Sequence, residues 1–301
     1  AASFAGWGAL DRLEVDAAAH RLDNAALERS LSIQRGFAVV SDALDGVAGL
    51  YAASAQISPE QFEAFSQRLL DHAWSVQAFA FAPVSVRDGE ERFAIAAIAP
   101  REGNEPLLGY ELTSSLEIAG AIEKATISRD IAASPAIFLP HEVDAKPTHL
   151  MLMPIYEGGN DPFSSAGELR GFAVAIVKIG PLIDEVLSDW LPVGLDILVT
   201  DAPGPDARVV HLGWDGARET PLGPEDATRM LSLSPEQAIR NSLYFGDRSL
   251  PSIWAPAPSF VAATRSWSPL AALIARRAQL PLASGYRHLV AKCNRRIGEL
   301  V

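Results

Sequence analysis

No proline occurs among the first 58 residues, and only five glycines interrupt them. A stretch that long, rich in alanine and leucine and free of the residue that breaks helices, admits one continuous helix. Leu10, Leu13, Ala17, His20, Asn24, Leu27, Leu31, Gln34, Ala38, Val40 and Leu44 recur mostly at steps of three and four, which predicts a helix over 9–50. Helices of globular domains average about 11–12 residues. One this long reads as a stalk or a dimerising helix. Ser58-Pro59-Glu60-Gln61 then restarts the chain: serine can cap, proline suits the first helical position, and Gln61 stands where a capping box needs it.

Beyond that point the period alternates. A helix is expected from Pro59 to about Ala73, and strands at Val76–Pro83 and Glu91–Ile98. A helix follows at Leu116–Ser128, then strands at Ala136–Leu139, Thr148–Tyr156 and Leu169–Ile179. The Thr148–Tyr156 run is nearly all apolar, as a central strand is, and Glu157–Gly167 is a polar loop. A helix at Pro181–Trp190 leads to strands at Leu195–Thr200, Arg208–His211, Ser242–Phe245 and Ser259–Ser266. The simplest architecture is a long helix followed by two α+β units in series.

Composition narrows the function. The 301 residues carry a net charge of −12, which argues against a nucleic-acid partner, because phosphate neutralisation needs a basic face. The charge is uneven: Arg276, Arg277, Arg287, Lys292, Arg295 and Arg296 face only Glu299 within 271–301, a basic tail on an acidic body. A single cysteine, Cys293, excludes an internal disulfide framework and cysteine-rich metal sites. The six histidines (His20, His72, His141, His149, His211 and His288) are scattered without ligand spacing, and no phosphate-binding, dinucleotide or nucleophile-elbow motif is present. No catalytic constellation, metal site or cofactor is expected. Ala1–Leu10 is apolar and reads as the last turns of a membrane span, in a chain processed or cut from something longer.

From Ser58 the chain resembles a CHASE domain. Ser58-Pro-Glu-Gln-Phe62, Gln77-Ala-Phe-Ala-Phe-Ala-Pro83 and Glu91-Arg92-Phe93 follow the family's opening, with Phe81 where tryptophan is common. Gly109-Tyr-Glu-Leu-Thr-Ser114 is similar to its Gly-x-Asp-x-x-Ser segment, and Ala133-Ser-Pro135 to the next strand entry. Pro154-Ile-Tyr156 is similar to Pro-Val-Tyr, and Leu169-Arg-Gly-Phe172 to Leu-x-Gly-Phe. CHASE domains form the extracytoplasmic sensors of membrane receptors, including plant cytokinin receptors and many bacterial histidine kinases and diguanylate cyclases.

The resemblance implies an α+β fold: a long N-terminal stalk helix (1–57), a membrane-distal PAS-like unit (58–185), a membrane-proximal PAS-like unit (186–270) and a basic juxtamembrane tail (271–301), each unit built on an antiparallel sheet. It implies a small-molecule ligand in the distal unit, a homodimer through the stalk, membrane anchoring of the full-length protein and a periplasmic location. Glu111 takes the place of the adenine-binding aspartate of the cytokinin receptors, with Tyr110 beside it. Ala132 takes the place of a pocket leucine, Leu152 that of a sensitive threonine, and Phe172 and Val174 lie on the strand lining the pocket, valine replacing glycine. Such a pocket has an altered shape, and its ligand is cytokinin-like, another adenine-like compound or a carboxylate metabolite. The segment Pro269–Asn294 is too polar for the second span the family requires. Two other readings stay open: a small-molecule hydrolase or transferase whose nucleophile and base are not visible in sequence, and a dimerisation module whose pocket its own side chains fill.

Overall fold

Helix α1 runs from Ala2 to Ala53, longer than the 9–50 expected. At 1.5 Å per residue it extends about 80 Å, enough to pass behind two successive sheets. The structure is a computed structural model describing residues 2–54, 56–73, 76–139, 146–158, 167–204, 207–215 and 222–260, with side chains of α1 from Asp16 onward. The basic tail with Cys293 and the side chains of Ala1–Leu10 lie outside the described residues.

The buried side of α1 is Leu22, Ala26, Ile33, Phe37, Val40, Leu44, Val47 and Tyr51. Most of the stripe expected from sequence lies on the opposite face: Ala17, His20, Asn24, Leu27, Leu31 and Ala38 are exposed, and only Val40 and Leu44 point into the core. Two stripes with the same step coexist on this helix, and periodicity cannot say which one the sheets cover. The 16–53 stretch is long and apolar enough to cross a membrane by length and composition. Here one apolar face of it is buried on protein, while Leu27, Leu31 and Val39 stay exposed.

After α1 come α2 (Pro59–Leu70), β1 (Val76–Arg87), β2 (Glu90–Phe93), β3 (Ala97–Ala99), α3 (Leu116–Ser128), β4 (Ala132–Ala133), β5 (His149–Tyr156) and β6 (Leu169–Val177). The capping box forms as read: Ser58 N–H donates to Gln61 Oε1 at 2.9 Å, and Gln61 N–H to Ser58 Oγ at 3.3 Å. The first sheet is antiparallel, in the order β2-β1-β6-β5-β4, with β3 also on β1. Then α4 (Ile179–Ser188), β7 (Leu195–Thr200), β8 (Val209–Asp215), α5 (Pro224–Ser232), β9 (Ile239–Phe245) and β10 (Arg248–Pro256) build a second antiparallel sheet, β8-β7-β10-β9. Both sheets wind alike: the opening hairpin sits beside the later strands taken in reverse, β6-β5-β4 in the first sheet and β10-β9 in the second.

Helix α1 packs on β5, β6, β9 and α4. Tyr51 stacks on Phe81 of the first sheet at 3.8 Å between centroids, and Phe37 meets Phe245 of the second edge-on at 5.1 Å. The amide of Gln34 mimics a strand edge, donating to Tyr244 O (2.7 Å) and accepting from Tyr244 N–H (2.8 Å). That closes the free edge of β9, a site otherwise open to pairing. The opposite sheet faces carry separate covers, α3 on the first and α5 on the second.

Several expectations change. The single strand Glu91–Ile98 is split into β2 and β3, because Ala94 leaves the ladder to bridge Glu111. Ala136–Leu139 makes only the isolated bridge Ile137 to Thr148, and the edge strand is β4 instead. The last strand is Arg248–Pro256 rather than Ser259–Ser266; Pro258–Phe260 is helical, and 261–266 lie outside the described residues. Pro251 disguised this strand, since proline argues against a central position. It is tolerated because β7 pairs with β10 only from Ser252 onward, while β9 alone flanks Pro251. Helix α5 was not foreseen, although Gly223-Pro224-Glu225-Asp226 starts it as a proline at the first turn should.

Candidate functional site

Alternation along the first sheet divides its residues between α1 and the opposite, front face. Ala78, Ala80 and Ala82 of β1 point to the front, opposite Ile176, Val174 and Phe172 of β6. Leu152 of β5 pairs with Val174, and Ala132 of β4 with Leu152. Ala80, Val174, Leu152 and Ala132 therefore form one rung across four strands, with Phe172 on the next rung beside Ala82. Four of the six site residues named from sequence thus sit side by side on one buried face, although β4, β5 and β6 are separate stretches of the chain.

The other two sit at its margin. Tyr110 is half-buried against the same cluster. Its carbonyl accepts from Ile95 N–H at 3.1 Å. Glu111 fastens the cover: its Oε1 accepts from Phe93 N–H (2.8 Å) and from the Thr113 hydroxyl (2.9 Å). Phe93 meets Phe172 edge-on at 5.0 Å, so Glu111 acts on the face through Phe93. Ile95, Ile98, Leu107, Leu112, Ile118 and Ile122 complete the apolar cover. Gly171 permits the approach of β6 to β1: its φ is +145°, and a Cβ there would fall 2.3 Å from Ala82 O. The glycine of Leu169-Arg-Gly-Phe172 is therefore a packing requirement.

Polar groups reach this region at its ends. Asn104 is buried, donating to Pro100 O (3.0 Å) and accepting from Gln77 Nε2 (3.0 Å). Ser134 Oγ accepts from Leu150 N–H at 3.0 Å. Among the described residues no three His, Cys, Asp or Glu side chains cluster as a metal site would require. A cavity of 610 Å³ opens on the α1 side of this sheet, beside Tyr51, Phe81 and Arg170, where burial pushes the Tyr51 phenol up to about 12. Another, of 330 Å³, lies between α1, α4 and the end of α2. Neither was indicated by the sequence, because each is assembled from separate elements that carry no motif.

The family model described as the CHASE domain matches residues 38–211. The chain belongs to the CHASE domain family. As a CHASE domain it is a sensory module, and the front face just described lies within the matched span. No curated protein sequence matches the chain significantly.

Among solved structures, this CHASE domain is similar to an extracellular ligand binding receptor from Desulfohalobium retbaense (TM-score 0.52, 11% identity, 77% of this chain). The match spans 39% of that receptor, so the chain corresponds to under half its length. Two further matches are to the ligand binding domain of the Pseudomonas aeruginosa amino acid chemoreceptor PctC in complex with GABA (TM-score 0.47, 11% identity, 79% of this chain and 98% of that one) and the extracellular domain of the putative histidine kinase rpHK1S-Z16 (TM-score 0.49, 13% identity, 80% and 98%). At 11% identity the likeness to the Desulfohalobium retbaense receptor is one of fold.

Proposed function

We propose that this CHASE domain is the extracytoplasmic, periplasmic sensor of a membrane-anchored receptor, a bacterial histidine kinase or diguanylate cyclase, that binds a small molecule on the front face of the first sheet. The first sheet unit (58–185) is then membrane-distal and the second (186–270) membrane-proximal, with the chain dimerising through α1. The reading rests on one observation above all: Ala132, Leu152, Phe172 and Val174, named from the family pattern alone, converge on a single face whose cover is pinned by Glu111. A ligand there is flat and largely apolar: an adenine-like compound would turn its N–H donors to Glu111, and a carboxylate metabolite its oxygens to the Tyr110 hydroxyl. Binding that parts the cover from the sheet shifts the packing behind it, where β5 and β6 rest on α1.

The test is a thermal-shift screen against purines, cytokinins, amino acids and carboxylates. A ligand at 100 times its dissociation constant adds about 2.7 kcal/mol, moving the midpoint by roughly 4 °C in a chain of this length. Glu111→Ala abolishes the shift if that carboxylate touches the ligand; an unchanged shift removes it from the site.

One observation favours a second reading. The front face is closed by its own side chains, with Ala80, Leu152, Phe172 and Val174 fully buried, as in a ligand-free dimerisation module. A flat screen together with a dimer in sedimentation would select that reading.

A further inference from the structure

The second sheet has a cleft of its own, where α4 crosses the edge strand β8. Its volume is 290 Å³, and its lining includes Asp184, Ser188, Trp190, His211, Trp214 and Asp215. The His211 side chain is 5% exposed. Its Nε2 stands 3.8 Å from Asp184 Oδ1, beyond hydrogen-bond reach, and among the described residues neither ring nitrogen has a hydrogen-bond partner. A buried imidazole left open toward a cavity is a group awaiting a partner. Position 213 is glycine where the ring lies: a Cβ there would come within 2.4 Å of Nε2.

The chemistry of the walls selects the occupant. Burial holds the His211 ring below the usual imidazole range, against the opposing pull of Asp184, so near neutral pH the ring carries no charge and offers a lone pair. Asp215 is occupied by Arg29. Asp184 stands 70% exposed at the mouth with no arginine or lysine paired to it among the described residues. Two indoles, a carboxylate and an uncharged imidazole repel an anion and suit a cation, which the carboxylate attracts and the aromatic faces stabilise.

We infer that this cleft is a second small-molecule site, for a ligand carrying an ammonium group that hydrogen-bonds Asp184 and His211 and lies against Trp190 and Trp214. Its position gives occupancy a route to α1. The Trp190 ring lies under the Arg29 guanidinium at 5.1 Å, and Asp215 accepts from Arg29 Nε, so two lining residues hold the same α1 side chain. The site is independent of the front face and stands whether or not that face binds anything.

The test is calorimetric titration of the whole chain with ethanolamine, putrescine and n-propylamine, beside n-propanol and acetate. Saturable binding of at least one ammonium compound, with n-propanol and acetate silent, is expected. Asp184→Asn, at an exposed position, should keep the melting midpoint of the free protein and weaken that binding at least tenfold; Trp214→Ala should weaken it as well. No saturable binding by any of the three, equal binding of n-propanol, or undiminished affinity in Asp184→Asn would each overturn the assignment.

Discussion

Arg29 and Asp215 form the connection between α1 and the second sheet whose removal should cost most. Their side chains are 2% and 3% exposed. Arg29 Nε donates to Asp215 Oδ2, and Nη2 donates to Leu191 O at 2.9 Å. Asp215 Oδ1 also accepts from Val193 N–H at 3.3 Å. Replacing Asp215 by asparagine keeps the shape but strands a guanidinium in the interior, faced by carbonyl oxygens, the Trp190 ring and the exposed Glu28 carboxylate 3.9 Å away. Breaking a buried pair in this way costs about 3–5 kcal/mol, whereas exchanging both partners for apolar residues is often neutral. Asp215→Asn and Arg29→Met should therefore each destabilise by about 3 kcal/mol or more, and the double variant Arg29→Met/Asp215→Leu should recover most of that loss. Urea denaturation measures it: the native chain, Arg29→Met, Asp215→Leu and the double variant close a double-mutant cycle, and Asp215→Asn is the shape-conserving check. Single-variant costs below about 1 kcal/mol, or additivity within about 0.5 kcal/mol, would refute the claim that this pair anchors the helix.

Burial, and after it the nearby Arg248 and Arg208, press the His149 imidazole down to about 3. Because this lies below its unfolded value of about 6.5, the contribution is complete above pH 6.5 and is lost as pH falls toward 3, at about 1.4 kcal/mol per unit. His149→Phe, packing against Phe245 as the ring does now, should cut the stability difference between pH 7.5 and pH 5.0 by roughly 2 kcal/mol in urea titrations; an unchanged difference would locate the acid sensitivity elsewhere. Gly171→Ala forces a Cβ against Ala82 O at a φ that side chains avoid, and should cost about 3 kcal/mol or more; a loss under 1 kcal/mol would show that β1 and β6 adjust freely. Glu111→Ala removes the acceptor of Phe93 N–H and the Thr113 hydroxyl, for about 1.5–3 kcal/mol, and should speed hydrogen exchange at Phe93; unaltered exchange there would mean the carboxylate does not hold the cover.

Local signals were legible wherever the physics is local. The Ser58 capping box and helix Leu116–Ser128 appear where expected, the first with both reciprocal hydrogen bonds. The nearly all-apolar run around Leu152 is a strand inside the sheet, buried at every position. The family pattern named Ala132, Leu152, Phe172 and Val174 together, and the sheet register sets them on one buried face. Signals failed where a neighbour decides. Pro251 looked like a strand breaker until the register showed that β7 stops short of it. Asp184 and His211 belong to a helix and a strand with no motif between them.

The amino-acid order determined the helix starts, the strand alternation and the family, because caps, period and glycine placement act within a few residues along the chain. The tertiary structure decided which of two stripes on α1 is buried, that Glu111 holds Phe93, and that His211 faces Asp184 across a cleft. Those outcomes depend on which surfaces the two sheets bring against one helix, and that contact is set by side chains far apart in the chain.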